Sequence, residues 1–101
     1  MNNKEHIASL IQRRRRQILV HSCLYYRFNT NLVPDWQYDS WGKELSKLQR
    51  EYPDISKEVV YYEWFKDFTD NCYSGYNLPT HHYEIINVAQ RLLRICKTQV
   101  Q

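Results

Sequence analysis

The chain has 101 residues, with 43% apolar, 25% charged and 15% aromatic side chains, and a formal charge of +3. That balance excludes a disordered polymer, and no window approaches the roughly twenty apolar residues of a membrane-spanning helix. Arg13 to Arg16 supply four of the fourteen basic residues, so the rest is near neutral and no broad nucleic-acid-binding face is expected. Cys23, Cys72 and Cys96 are odd in number, widely spaced and without a CxxC pair. This argues against a disulfide framework or a zinc site and for a reduced, cytoplasmic setting. The start, MNNKEHIASLIQRRRR, lacks the apolar stretch of a signal peptide.

The predicted elements are all helical. Ile7, Leu10, Ile11, Ile18 and Leu19, with Ser22 and Tyr25 on one edge, recur near the helical period and predict a first helix over about residues 4–28. Asn29, Thr30 and Asn31 end it with turn chemistry. Pro34 and Asp35 open a second helix, whose stripe is Trp41, Leu45 and Leu48, closing before Pro53. A third helix, capped by Asp54 or Ser56, is predicted through Val59, Val60, Tyr62, Trp64, Phe65 and Phe68. Residues 69–81 hold Gly75 and Pro79 and read as an ordered loop. Thr80 starts a last helix with Ile85, Ile86, Ala89, Leu92, Leu93 and Cys96 on one stripe. The fold class is all-α, a small bundle of about four helices with a Gly/Pro loop before the last. The chain reads as a single domain, residues 1–101, built from helical pairs over 1–54 and 55–101.

Chemistry concentrates around the first turn. Tyr25 and Tyr26 lie at the end of one helix, and Asp35, Tyr38 and Asp39 start the next at i, i+3, i+4 spacing, on one face. Aromatic rings beside two carboxylates suit a flat cationic ring that carries a sugar. Nicotinamide mononucleotide is such a ligand. A bland reading stands beside this one: Tyr25 and Tyr38 as core aromatics, Asp35 as a helix cap and Asp39 as a solvated charge.

The stretch from His21 to Leu45 follows H-x3-Y-(Y/H)-x6-(I/V)-(P/S)-D-x2-Y-D-x-(L/W)-x2-E-L without a gap. His21, Tyr25, Tyr26, Val33, Pro34, Asp35, Tyr38, Asp39, Glu44 and Leu45 occupy its positions, and Glu51 and Pro53 match a following E-x-P turn. The pattern resembles the small N-terminal Ia domain of bacterial NAD-dependent DNA ligases, over about residues 13–54. The resemblance implies that this part of the chain binds the nicotinamide mononucleotide half of NAD. It further implies that Tyr25 stacks on the nicotinamide, that Tyr26 reaches the phosphate or ribose, and that Asp39 accepts from the ribose hydroxyls. Asp35 is implied at the carboxamide or as an orienting group, and Tyr38 at the phosphate or in the floor of the site.

The adenylation lysine of those ligases sits in a K-x-D-G motif, which this sequence lacks; Lys43-Glu44-Leu45 and Lys66-Asp67-Phe68 are the nearest strings. No catalytic residue, metal site or required cofactor is therefore expected. Beyond residue 55, the S-G-Y-x-L-P element of Ser74, Gly75, Tyr76, Leu78 and Pro79 resembles the tail of short stand-alone ligase-related proteins of phages. The reading that follows is a non-catalytic module for NAD-derived nucleotides (NMN, NAD or ADP-ribose type), as a phage sponge or sensor against NAD-based bacterial defence. Two others stay open: an inhibitor or adaptor of a host or defence enzyme, and an accessory NMN-binding subunit of a split ligase.

Smaller features carry less. The Arg13–Arg16 run reads as a solvated helix face, as a phosphate contact through Arg14 or Arg15, or as a surface for an acidic partner. His81 and His82 read as a helix-start pair, and Tyr73, Tyr76 and His81 as a lid. Cys23 has no partner that would make it a nucleophile. The aromatic third helix is a candidate homodimer face.

Overall fold

The computed structural model describes residues 3–66, Phe68 and 82–100, with the side chains of 96–100 excepted. Every regular element among them is a helix: α1 (Asn3–Arg27), α2 (Asp35–Glu51), α3 (Pro53–Glu58), α4 (Tyr62–Phe65) and α5 (Tyr83–Val100). The all-α expectation holds.

α1 is the central element, packing against α2, α3 and α5. Its apolar stripe becomes fully buried at Ile11, Ile18, Leu19, Cys23 and Leu24, which join Leu45 of α2, Phe65 of α4, and Ile85 and Ala89 of α5 in one core. Leu24 ends the helix by accepting at its carbonyl from the amides of Phe28 (3.2 Å) and Thr30 (3.1 Å). The chain reverses there through Asn29 at φ 50°, a left-handed conformation that asparagine tolerates better than most residues.

α2 starts as its sequence requires. Pro34, extended at φ −68°, offers its carbonyl to the amides of Gln37 (3.0 Å) and Tyr38 (3.3 Å), and no side chain caps the helix. Tyr52 closes α2 and opens α3, because the residue before a proline is steered out of the helical region. Pro53 then occupies the first turn of α3.

The predicted third helix is broken. Val59 is extended, and Tyr61 sits at φ 74° before the single turn of α4. Neither Asp54 nor Ser56 caps the segment: Tyr52 is the cap residue, Asp54 lies in the first turn and Ser56 is buried inside α3. The cause of the break is a side chain from α1. The Arg15 guanidinium takes the carbonyls of Ser56, Val59 and Val60 at 3.0–3.2 Å, and two adjacent β-branched residues resist helix at that point. α5 begins at Tyr83, one residue after His82, whose carbonyl accepts from the amide of Ile86. The predicted loop, its Gly/Pro elements and the start at Thr80 lie outside the described residues, as does Cys72.

Candidate functional site

Four contacts set the antiparallel register of α1 and α2 and divide the hairpin into two flanks. On one flank Arg15 Nε donates to Gln49 Oε1 at 2.9 Å, and the hydroxyls of Ser22 and Tyr38 share a hydrogen bond at 2.7 Å. On the other, Arg14 Nε meets Glu44 Oε2 at 2.7 Å, and the ring of His21 rests on that of Trp41 with centroids 5.2 Å apart. Steps of seven residues return to nearly the same side of a helix. Arg15 and Ser22 therefore form one row, with Tyr26 a turn further on; Gln49, Gly42 and Asp35 form the row that meets it. Gly42 is buried in mid-helix, where glycine costs about 1 kcal/mol relative to alanine. Its place on the contacting row lets the two backbones approach.

This register carries four of the expected site residues to the same end of the hairpin. Tyr25 and Tyr26 lie one turn beyond Ser22, Asp35 lies one turn beyond Tyr38, and Asp39 adjoins Tyr38. Tyr25 continues the row of Ile11 and Ile18, both fully buried, yet is itself 53% exposed. The buried seam runs out where the hairpin opens, and the ring is left uncovered. Tyr26, 44% exposed, meets it edge-on, with centroids 4.8 Å apart and planes at 82°. Tyr38 is half-buried against the core, and its hydroxyl is engaged by Ser22. That supports the floor position more than a phosphate contact. Asp35 and Asp39 are exposed and hold no hydrogen-bond or ion-pair partner among the described residues. The core reading of Tyr25 is thus wrong, and that of Tyr38 is half right.

The arginine run divides by facing. Arg13 and Arg16 are solvent-exposed. Arg14 is held by Glu44 and, through Nη1, by Gln17 Oε1 at 2.6 Å. Arg15 is fully buried. Its five N–H groups reach Gln49 Oε1, the carbonyls of Val59, Val60 and Ser56, and Ser56 Oγ at 2.6 Å, which is every donor a guanidinium has. Its Cζ also lies 6.0 Å from the Tyr62 ring centroid and 5.8 Å from that of Phe65. Burial pulls its pKa down to about 10, against a smaller opposing effect of Tyr62. A phosphate role for Arg15 is overturned, since its guanidinium is consumed inside the fold; Arg14 is already engaged by Glu44 and Gln17.

Burial lowers the pKa of His21, so this pattern position supplies a neutral ring against Trp41. Burial raises that of Cys23, with Arg27 acting in the opposite sense. Cys23 is fully enclosed and free, which suits packing. His82 is half-buried between the rings of Trp64 and Tyr83; His81, Tyr73 and Tyr76 lie outside the described residues. Among the described residues no group of three His, Cys, Asp or Glu side chains is placed to hold a metal ion, and no helix is long and apolar enough to cross a membrane. Sequence reasoning missed the Ser22 tether, the Gly42 contact and the Arg14–Glu44 pair.

No curated protein and no solved structure matches the chain. The sequence model of one family, described as the DNA ligase-like, N-terminal NAD+-binding domain, matches residues 4–58. That span is a little more than half of the chain and contains both helices of the hairpin, the exposed tyrosine pair and the two exposed carboxylates. The chain belongs to this family of DNA ligase-like, N-terminal NAD+-binding domains.

Proposed function

We propose that the chain binds an NAD-derived nucleotide at the open end of the α1–α2 hairpin, through Tyr25, Tyr26, Asp35, Tyr38 and Asp39. The observation that carries this reading is Tyr25, an aromatic on an otherwise buried row that is more than half exposed, at the hairpin end that also bears Asp35 and Asp39, both exposed and without a partner among the described residues. Tyr25 and Tyr26 present a face and an edge to a planar ring, and the quadrupole of a phenol attracts a pyridinium. Asp39 and Asp35 accept from ribose hydroxyls and from the carboxamide N–H. Tyr38, steadied by Ser22, floors the site.

Ring stacking with a cation–π contribution supplies about 0.5–2 kcal/mol, and each hydrogen bond to a carboxylate about 1.5–3 kcal/mol. Loss of translational and rotational freedom takes back at least about 4 kcal/mol. The expected affinity is therefore micromolar to millimolar. The module is read as non-catalytic, since the K-x-D-G lysine is absent from this sequence. Its role is then to sequester or sense such nucleotides, and in a phage it acts as a sponge against defence systems that signal with NAD products.

Calorimetry with nicotinamide mononucleotide, NAD and cyclic ADP-ribose tests the binding claim. Heat from at least one is expected, and it falls at least about tenfold in affinity in a Tyr25→Ala, Asp39→Ala double variant. No heat from any at millimolar concentration, or unchanged binding by the double variant, rejects it.

A further inference from the structure

We infer that the outer face of α2 is a docking surface for a second copy of this chain, with the two α2 helices paired antiparallel about a two-fold axis. The inference goes beyond the nucleotide site and does not rest on it.

Its basis is one row of side chains. Steps of seven and eleven residues return to nearly the same side of a helix, so Trp36, Lys43 and Lys47 form a row along α2, flanked by Asp39 and Ser40. All five are exposed. Gly42, Leu45 and Gln49, which turn toward α1 and the core, lie a third to a half of a turn away. Trp36 is 68% exposed, although tryptophan is enriched among the anchors of buried protein interfaces. Asp39, Lys43 and Lys47 have no ion-pair partner among the described residues.

The order of the charges selects the occupant. The carboxylate comes first and the two lysines follow, so a parallel copy sets like charges side by side and an antiparallel copy sets opposite ones together. Residues 36 and 47 are equidistant from the point between residues 41 and 42, and residues 39 and 43 straddle residue 41. A two-fold axis there places Trp36 level with the partner's Lys47, an ammonium over an indole, and Asp39 level with the partner's Lys43. Asp39 and Lys43 also lean to the same edge of the row, and same-edge residues meet in an antiparallel pair. Symmetry doubles each contact, and Ser40, near the axis, is small enough to let the helices approach. Arg50 and Glu51 fall level with the partner's residues 33 and 32, before its α2 begins, and Glu44 stays with Arg14. A uniformly acidic partner would meet Asp35 and Asp39 at one end of the face, whereas a second copy complements both ends. A carboxylate has two oxygens, so Asp39 serves the partner's lysine and a ligand hydroxyl together.

The contact is small and transient, with an expected dissociation constant of about 0.1 mM. Sedimentation equilibrium tests it from about 10 µM to about 1 mM chain in about 50 mM salt. The average mass is expected to rise from one chain toward two across that range and to fall back as salt is added. Trp36→Ala and Lys43→Asp each remove two contacts and weaken the pairing about tenfold or more. Asp39→Lys combined with Lys43→Asp restores it to within about threefold of the parent. A melt at about 5 µM, where the chain is monomeric, checks that each variant is folded. A mass of one chain up to about 1 mM, a dimer that Trp36→Ala leaves intact, or a charge swap that fails to restore pairing overturns the inference. So does binding of polyglutamate through Lys43 and Lys47 without self-association.

Discussion

Replacing Arg15 with lysine removes charge delivery without removing charge. The guanidinium donates five hydrogen bonds, to Gln49, Val59, Val60 and twice to Ser56. An ammonium has three donors on one atom and lacks the planar fork that spans these acceptors. At least two acceptors lose their partner in a region where Arg15 and Ser56 are buried. With each bond to a charged donor worth about 1.5–3 kcal/mol, the expected loss is about 3–6 kcal/mol. A domain of this size has about 5–15 kcal/mol in total, so the variant forfeits about a fifth of it or more. At about 4–8 °C per kcal/mol, Tm falls by about 12 °C or more, measured by circular dichroism with urea unfolding for the free energy. Arg15→Met removes all five bonds, leaving the Ser56 carbonyl only the Val59 amide, and is expected not to fold. If Arg15→Lys stays within about 1 kcal/mol of the parent, the guanidinium is not what holds α3 and α4 against the hairpin.

His21 contributes a pH dependence of defined sign. Its folded pKa is lowered by burial, so between that value and the unfolded value near 6.5 the unfolded chain binds more protons. Its stabilising contribution is complete above pH 6.5 and is lost as pH falls toward the folded pKa, with a slope of at most about 1.4 kcal/mol per pH unit; His21→Phe keeps the ring contact with Trp41 and flattens the profile. Cys23, fully buried with its thiol pKa raised, resists iodoacetamide in the folded protein and reacts on denaturation, as peptide mass spectrometry reads out. Arg14→Gln breaks the part-exposed pair with Glu44 and the bond to Gln17 and costs about 1 kcal/mol by urea unfolding. Trp36 is 68% exposed and nine residues from Leu45, half a helical turn out of phase with the buried seam. Trp36→Ala is expected to leave both Tm and nucleotide affinity unchanged.

The two long helices of the hairpin and the last helix were legible because hydrophobic spacing reports burial directly: Ile11 and Ile18, Leu45 and Leu48, Ile85 and Ala89 all lie where the period puts them. The hairpin end was legible as a motif, since its residues are contiguous in sequence and their helical offsets are fixed. Arg15 was hidden by its neighbours, as four like residues in a row carry no contrast. The available signal is its phase: it lies four residues after Ile11, three before Ile18 and four before Leu19, inside the apolar arc, while Arg13 and Arg16 fall outside it. The break between α3 and α4 was not legible. A segment with good helical stripe positions is interrupted by acceptor demand from a guanidinium 41 to 45 residues earlier, and no local propensity encodes that.

The same contact bears on whether the family-matched part is an independent folding unit. The match ends at residue 58, yet Arg15 within it bonds to Val59 and Val60 beyond it. Gln49 likewise donates through Nε2 to the carbonyls of Phe65 (3.1 Å) and Phe68 (3.2 Å). Phe65, Ile85 and Ala89 complete the core around α1. Cutting at residue 58 would leave a buried cation with two acceptors missing and would open the apolar face of α1 where α5 packs. We therefore predict that residues 1–58 alone do not melt cooperatively, while the 101-residue chain gives one transition by both circular dichroism and tryptophan fluorescence. A cooperative transition in the short piece would instead show that the hairpin carries its own stability and that the later helices are an appended unit.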